Sequence, residues 1–310
     1  MPATNGRAGP PTVVVVGSIH QDLIVNVPAL PHPGETVLGT RHSRSPGGKG
    51  ANQAVAASRL GAHVAMLGQV GDDPDGASLR SGLEREGIDV TGVIIDDALA
   101  TGLAVVTVDG DGENAIVVSP GASGALSAET VSLHGDLVSE AKVTLLQLEV
   151  DIAAVIAAAQ LATGVVVLNP APAQQLPDAL LDQVDVLIPN RVELARIAGA
   201  EHQPTTLIQV EALARPLADR RAVVVTVGPQ GALAVRDGQV QHFPAPHGDT
   251  IDTTGAGDAL CGALSAEIAE GADLFDALPV AVRAAALSTT RAGAQPSLPT
   301  REDLDAFTAS

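Results

Sequence analysis

The sequence predicts an α/β protein, a doubly wound and mostly parallel sheet flanked by helices, and three observations carry that prediction. Short β-branched runs alternate with helical stretches along most of the chain. The runs are apolar throughout rather than alternating, as expected of strands covered on both faces. Two stretches break the alternation and read as an antiparallel excursion.

Taken in order, residues 13–16 are a valine run ending in Gly17, the pattern of a buried central strand. Residues 50–60 read as a helix closed by Gly61. Residues 64–70 are the next strand, and 75–86 a helix with an acidic start and Gly87 at its end. Strands are then expected over 143–148, 165–169, 184–189 and 222–227, with helices over 152–162, 192–198 and 206–219 between them. The two interruptions are residues 23–40, which carry Pro28, Pro31, Pro33 and Gly34, and residues 101–118, a hairpin turning at Asp109-Gly110-Asp111-Gly112. Neither an internal repeat nor a low-complexity region is evident.

Composition narrows the functions open to the chain. Its 310 residues are 45% hydrophobic, enough for a substantial core. A net charge of −19, with Lys49 and Lys142 the only lysines, argues against a nucleic-acid surface. Cys261 is the only cysteine, which excludes an internal disulfide and a thiolate metal cluster and fits a reducing cytoplasm. Residues 1–11 are polar and rich in Gly and Pro, so they read as a flexible tail rather than a signal peptide. The longest apolar tract, 152–168, is broken by Gln160, Thr163 and Gly164 and falls short of the ~20 residues of a membrane span.

Chemistry is concentrated in two glycine-rich stretches. In Asp252-Thr253-Thr254-Gly255-Ala256-Gly257-Asp258, a turn without bulky side chains opens an apolar helix. Such a turn presents unpaired amides and the positive end of the helix dipole to developing negative charge, while Asp258 can hold an attacking hydroxyl. Phosphoryl transfer requires that arrangement. Alone, the stretch would read more readily as a strand-to-helix turn. The second stretch, Pro46-Gly47-Gly48-Lys49-Gly50-Ala51-Asn52-Gln53-Ala54-Val55-Ala56-Ala57, changes that balance. It is not a Walker A loop, since Gly50 stands where Ser or Thr should be. No dinucleotide fingerprint is present, because Gly257 is followed by Asp258, Ala259 and Leu260 without a third glycine.

Together the two stretches resemble sugar kinases of the ribokinase family. The likeness extends through Gly17-Ser18-Ile19, Leu146-Gln147-Leu148-Glu149, Asn169-Pro170-Ala171-Pro172-Ala173, Pro189-Asn190 and Gly293-Ala294-Gln295-Pro296-Ser297. It implies one ribokinase-like domain over residues 12–310. A small β-sheet lid, from segments near 20–45 and 97–120, would cover the sugar and pair two chains as a homodimer. The implied reaction is ATP-dependent phosphorylation of D-ribose at O5, giving D-ribose 5-phosphate and ADP, with Mg²⁺ as cofactor and K⁺ as activator. Partners are then a small sugar and ATP, with no nucleic acid and no membrane.

Residue by residue, the resemblance makes Asp258 the catalytic base and the amides of Gly255, Ala256 and Gly257 the anion hole. His20, Asp22, Gly48, Lys49, Asn52, Glu149 and Asp258 would bind the sugar. Asn52 offers both donor and acceptor to a diol. By themselves Asp22 reads as a turn residue and Glu149 as a solvated strand end. Asn190, Thr226, Gly228 and Gly231 would bind ATP together with Gly257 and Asp258, and Glu193 would approach Mg²⁺ through water. Asn190 and Glu193 read equally well as a helix cap and its partner. The monovalent cation would take the Asp252 carboxylate, backbone at Thr254, Ser288, Arg291 and Gly293, and the Ser297 hydroxyl. His20 departs from the family's usual Asn, which leaves 2-deoxyribose, another sugar or a nucleoside open as acceptor. A catalytically silent sugar sensor is the alternative from another class.

Overall fold

A computed structural model describes residues 10–307. Most of the expected tail, residues 1–9, lies outside the described residues; Pro10 is exposed and Pro11 already buried. The strands are β1 (Val13–Val16), β2 (His20–Asn26), β3 (Arg41–Gly47), β4 (Val64–Gly71), β5 (Asp89–Asp96), β6 (Gly102–Val108), β7 (Asn114–Ser119), β8 (Val143–Leu146), β9 (Val165–Leu168), β10 (Val186–Leu187), β11 (Ala222–Thr226), β12 (Ala232–Arg236) and β13 (Gln239–Phe243). The helices are α1 (Lys49–Arg59), α2 (Pro74–Arg85), α3 (Gly121–Gly124), α4 (Ala128–Leu133), α5 (Gly135–Ser139), α6 (Ile152–Leu161), α7 (Asp178–Leu181), α8 (Arg191–Ile197), α9 (Leu207–Ala214), α10 (Ala256–Ala269), α11 (Leu274–Ser288) and α12 (Arg301–Ala306).

The main sheet has nine strands in the order β13-β12-β11-β10-β9-β8-β1-β4-β5. From β11 to β5 every pairing is parallel, and β12 and β13 add an antiparallel edge. The valines of β1 explain its central place. Val13 and Val15 enter the core layer shared with α1, α10 and α11, while Val14 and Val16 enter the layer beneath α6. Each buried valine side chain stabilises by about 1.5–3 kcal/mol, so a strand apolar on both faces is driven to the middle of the sandwich.

The expected alternation is present, with two adjustments. Residues 215–219 tighten into a 3₁₀ turn after α9, because Pro216 has no N–H to continue the helix. Strand β10 keeps only Val186 and Leu187 before the chain turns to cap α8 at Asn190. The apolar tract at 152–168 divides into α6 and β9, and among the described residues no helix is long and apolar enough to cross a membrane.

The excursion forms a separate four-stranded sheet in the order β3-β2-β6-β7. Its strands begin earlier than residue 23 and end later than 40, because β2 and β3 pair from His20 to Gly47 around the proline-rich connection. The hairpin between β6 and β7 turns at Asp109, whose carboxylate accepts from the amides of Asp111 and Glu113, both at 3.0 Å. Arg44 of β3 ties this sheet to α2 through both oxygens of Asp75, at 2.6 and 2.7 Å. All six residues of the edge strand β7 are exposed.

Candidate active site

The chain leaves β1 toward β4 and later returns to β8 on the other side, so a topological switch point lies between β1 and β8. Ligands of open α/β sheets sit outside the carboxyl ends of the strands at such a point. Here the segment after β1 meets the segment after β8. Ser18 Oγ donates to Glu149 Oε2 at 2.6 Å, and the Lys49 amide donates to the same oxygen at 2.9 Å. Lys49 Nζ lies 3.8 Å from Glu149 Oε1. Helix α1 can start this close because Gly50 has no side chain; a β-carbon there would come within 2.6 Å of the Ser18 amide.

Helix α10 opens on the other side of the site. Gly255 caps it with φ +79°, a left-handed conformation that favours glycine. The Ala256 amide reaches the Thr253 carbonyl at 3.3 Å, and among the described residues the Gly255 and Gly257 amides have no acceptor. Asp258, in the first turn, is 8% exposed. Its Oδ2 accepts from Asn52 Nδ2 and its Oδ1 from Gln53 Nε2, both at 2.9 Å. Burial pushes its carboxyl pKa up, against the Lys49 ammonium and the two amide donors, which hold it down.

The other residues expected at the sugar converge on this carboxylate. Asp22 lies on β2 with its carboxyl raised to about 7, chiefly by burial and further by Glu149 and Asp258, with Lys49 opposing. His20 is 2% exposed and its Nε2 has no partner. Burial holds the imidazole below its ordinary value despite Glu149. Burial would lower the Lys49 ammonium, but Asp258, Glu149 and Glu193 together raise it. Asn52 gives one of its two N–H groups to Asp258, and its buried Oδ1 is unpartnered, so a second N–H and an acceptor oxygen remain for a ligand.

Asn190 and Glu193 do form the capping box that their spacing allows. The Glu193 amide donates to Asn190 Oδ1 at 2.9 Å, and Glu193 accepts from the Asn190 amide and Nδ2, both at 2.8 Å. Burial raises the Glu193 carboxyl and the Asp258 charge adds to this, while the Asn190 amide and the Lys49 ammonium oppose it. Asn190 pairs by backbone with Thr226. That places it beside a cleft of about 530 Å³ lined by Thr226, Gly228, Gly231, Ala256 and Gly257, with Val282 and Ala285 on an apolar wall. A volume in this range suits a nucleotide.

Asp252 organises the neighbouring loops. Its Oδ1 accepts from the Thr254 amide and hydroxyl at 2.9 and 2.6 Å, and its Oδ2 from the Gly293 amide at 2.8 Å. Burial alone would raise this carboxyl, but those donors hold it below the usual carboxylate value. The Ser288 carbonyl accepts from the Arg291 amide at 3.2 Å, and the Arg291 guanidinium is held by Asp303 at 2.7 and 3.2 Å. The Ser297 hydroxyl is buried and donates to the Ala294 carbonyl at 2.7 Å, leaving its lone pairs free. Among the described residues no group of three or more His, Cys, Asp or Glu side chains is arranged to hold a metal.

A buried carboxylate beside free amides at a helix start, with a nucleotide-sized cleft lined by that helix and the polar side chains of Lys49, Asn52 and Glu149 nearby, is the layout of a small-molecule kinase. The model of the pfkB family of carbohydrate kinases matches residues 11–301. The chain belongs to that family. A ribokinase of Haemophilus influenzae is 37% identical over 295 residues, covering 94% of this chain and 96% of the relative. A deoxyribokinase of Salmonella typhi is 35% identical over 301 residues, covering 95% and 98%. Among solved structures, Arabidopsis thaliana ribokinase complexed with ribose and ATP superposes with a TM-score of 0.89 at 30% identity, covering 96% of this chain and 98% of that one.

Within this pfkB kinase, sequence reasoning missed several residues that build the site. Ser18, Gln53, Gln147 and Asn169 carry hydrogen bonds in it, yet each stood in the sequence only as part of a motif. The cleft wall at Ala245, Pro246 and Val282 was also missed, because small apolar residues that face a ligand look the same as those that face a core.

Proposed function

We propose that this chain is an ATP-dependent ribokinase that transfers the γ-phosphoryl group of ATP to O5 of D-ribose. The observation that carries the reading is Asp258, buried in the first turn of α10, the helix whose Ala256 and Gly257 line the nucleotide-sized cleft. In the reaction the O5–phosphorus bond forms as the bond from phosphorus to the β,γ-bridging oxygen breaks, and the hydroxyl proton passes to Asp258. Because a carboxylate is a weak base toward an alcohol, that transfer is late and positioning contributes most. The Gly255, Ala256 and Gly257 amides stabilise charge on the moving phosphoryl group.

Oxygen donors fit the two implied cations. The buried Glu193 carboxylate beside the cleft would hold Mg²⁺ through water, and Mg²⁺ supplies charge neutralisation of the phosphates. A K⁺ ion would take Asp252, kept anionic by its donors, with backbone at Thr254, Ser288, Arg291 and Gly293 and the Ser297 hydroxyl. The lid reading assigns the exposed edge β7, with Ile116 56% and Val117 70% exposed, to a homodimer, which sedimentation of the purified chain tests. The single buried cysteine supports a cytoplasmic place.

ADP release with D-ribose, 2-deoxyribose, fructose and adenosine, with and without K⁺, tests the reading. Ribose-dependent turnover raised by K⁺ is expected. Preference for 2-deoxyribose would move the substrate assignment to His20, and silence toward every acceptor would favour a sensor.

Asp22 gives a second expected result. Its carboxyl stands at about 7 in the folded chain against an ordinary 3.8, so it contributes stability below pH ~4 that is lost as pH rises through about 7. Sugar hydroxyls donate to the charged form, so binding should expel a proton between those values and weaken as pH falls. Calorimetry at pH ~6 in two buffers of different ionisation enthalpy should show proton release. Identical heats in both buffers would refute the role of Asp22.

A further inference from the structure

Three side-chain amides, two of them buried, form a chain behind Asp258. Gln53 of α1 and Gln147 after β8 are fully buried, and Asn169 follows β9. Gln53 Nε2 donates to Asp258 Oδ1 at 2.9 Å and to Asn169 Oδ1 at 3.1 Å. Gln147 Nε2 donates to Gln53 Oε1 at 2.6 Å, and Asn169 Nδ2 donates to the Ile188 carbonyl at 3.0 Å.

The orientation of each amide follows from its ends, because a backbone carbonyl and a carboxylate can only accept. Asn169 must turn its nitrogen to Ile188, which leaves its oxygen for Gln53. Gln53 must then use both N–H groups, one on Asn169 and one on Asp258, which leaves its oxygen for Gln147. Gln147 must offer a nitrogen, and its own oxygen ends without a partner. That oxygen fills the space where a β-carbon on Gly17 would stand. Gln147 and Gln53 thus form a one-way donor chain ending on Asp258, polarised in a dry interior.

We propose that Gln53, oriented by Gln147 and Asn169, is a positioning residue that anchors Oδ1 of Asp258 and reserves Oδ2, on the Asn52 side, for the acceptor hydroxyl. The proposal rests on Asp258 being the base of the kinase reaction. Other ionisable groups act on Asp258 from every side: Lys49 on α1, Asp22 on β2, Glu149 after β8, Glu193 on α8 and Cys261 on its own helix. Of these only Lys49 favours the charged carboxylate, so the two amide donors are its remaining support.

Gln53→Met keeps length and removes the donor. We expect kcat to fall about 10- to 100-fold, the size of one hydrogen bond to a charged group, with the sugar KM within about threefold. The acid limb of kcat should move to higher pH, because losing a donor to the charged form favours the protonated one. The carboxyl carbon of Asp258, assigned by its absence in Asp258→Asn, should titrate at higher pH by ¹³C NMR, a readout that needs no turnover. Gln147→Met, one step further back, should move both quantities the same way by less, and it carries the test if Gln53→Met does not fold. A folded variant whose kcat stays within about twofold and whose carboxyl titration is unchanged would overturn the proposal. Loss of the kinase reading would show separately, as a parent protein that turns over no sugar while the NMR shift persists.

Discussion

Asp258→Asn should lower kcat by about 10²- to 10⁴-fold, the range a positioned base contributes, while sugar and ATP still bind. The reason is local. The carboxylate accepts from Asn52 on one oxygen and Gln53 on the other, so the replacement amide must turn its own NH₂ toward one of those donors. That donor-to-donor contact costs about 1–3 kcal/mol, partly offset by no longer burying a charge. Thermal unfolding separates this loss from the catalytic one, and calorimetric binding shows whether the pocket is intact. A variant that binds both ligands and keeps kcat within about tenfold of the parent would remove Asp258 from the chemistry.

Gly257→Ala should move stability and activity in opposite directions. Gly257 is the second residue of α10, its φ lies outside the left-handed region, and a β-carbon built on it meets nothing within 4 Å. Folding therefore makes no demand for glycine there. Alanine should be neutral or stabilising by up to about 1 kcal/mol, read as a raised unfolding midpoint. The new methyl group would stand in the nucleotide-sized cleft that Gly257 lines, where a phosphoryl group has to reach the backbone amide. Losing one donor of this kind costs about 10²- to 10³-fold in kcat. Unchanged turnover in the stabilised variant would show that the amide does not serve phosphoryl transfer.

The parallel part of the sheet was legible because its strands are apolar on both faces, as the four valines of β1 show. Strand β5 was not, since Asp89, Gly92 and Asp96 dilute its pattern, and its place at the sheet edge relaxes the demand for a wholly apolar strand. The β12–β13 hairpin carried a readable signal in Asp237-Gly238, but its antiparallel edge does not follow from alternation of strand and helix. In the site, the two glycine-rich stretches pointed to the right elements, α1 and α10. Their pairing did not, because the bond from Asn52 to Asp258 depends on how two helices pack and not on either local pattern. The same holds for Gln53, which in the sequence is one more polar residue in a helix and in the structure has no solvent-facing surface.

Asn52 and Asp258 are 206 positions apart. During synthesis α1 leaves the ribosome long before α10 exists to cover it. For that interval Ala56, which packs against Gly262 of α10 in the finished protein, faces water or a helper protein, and the amides of Asn52 and Gln53 have no carboxylate to hold. A chain truncated before residue 256 would carry the sugar-side residues through Glu149 and still lack both the base and the cover for α1. The centre therefore matures in a single late event, and an interrupted product would be an unprotected hydrophobic surface rather than a weak enzyme.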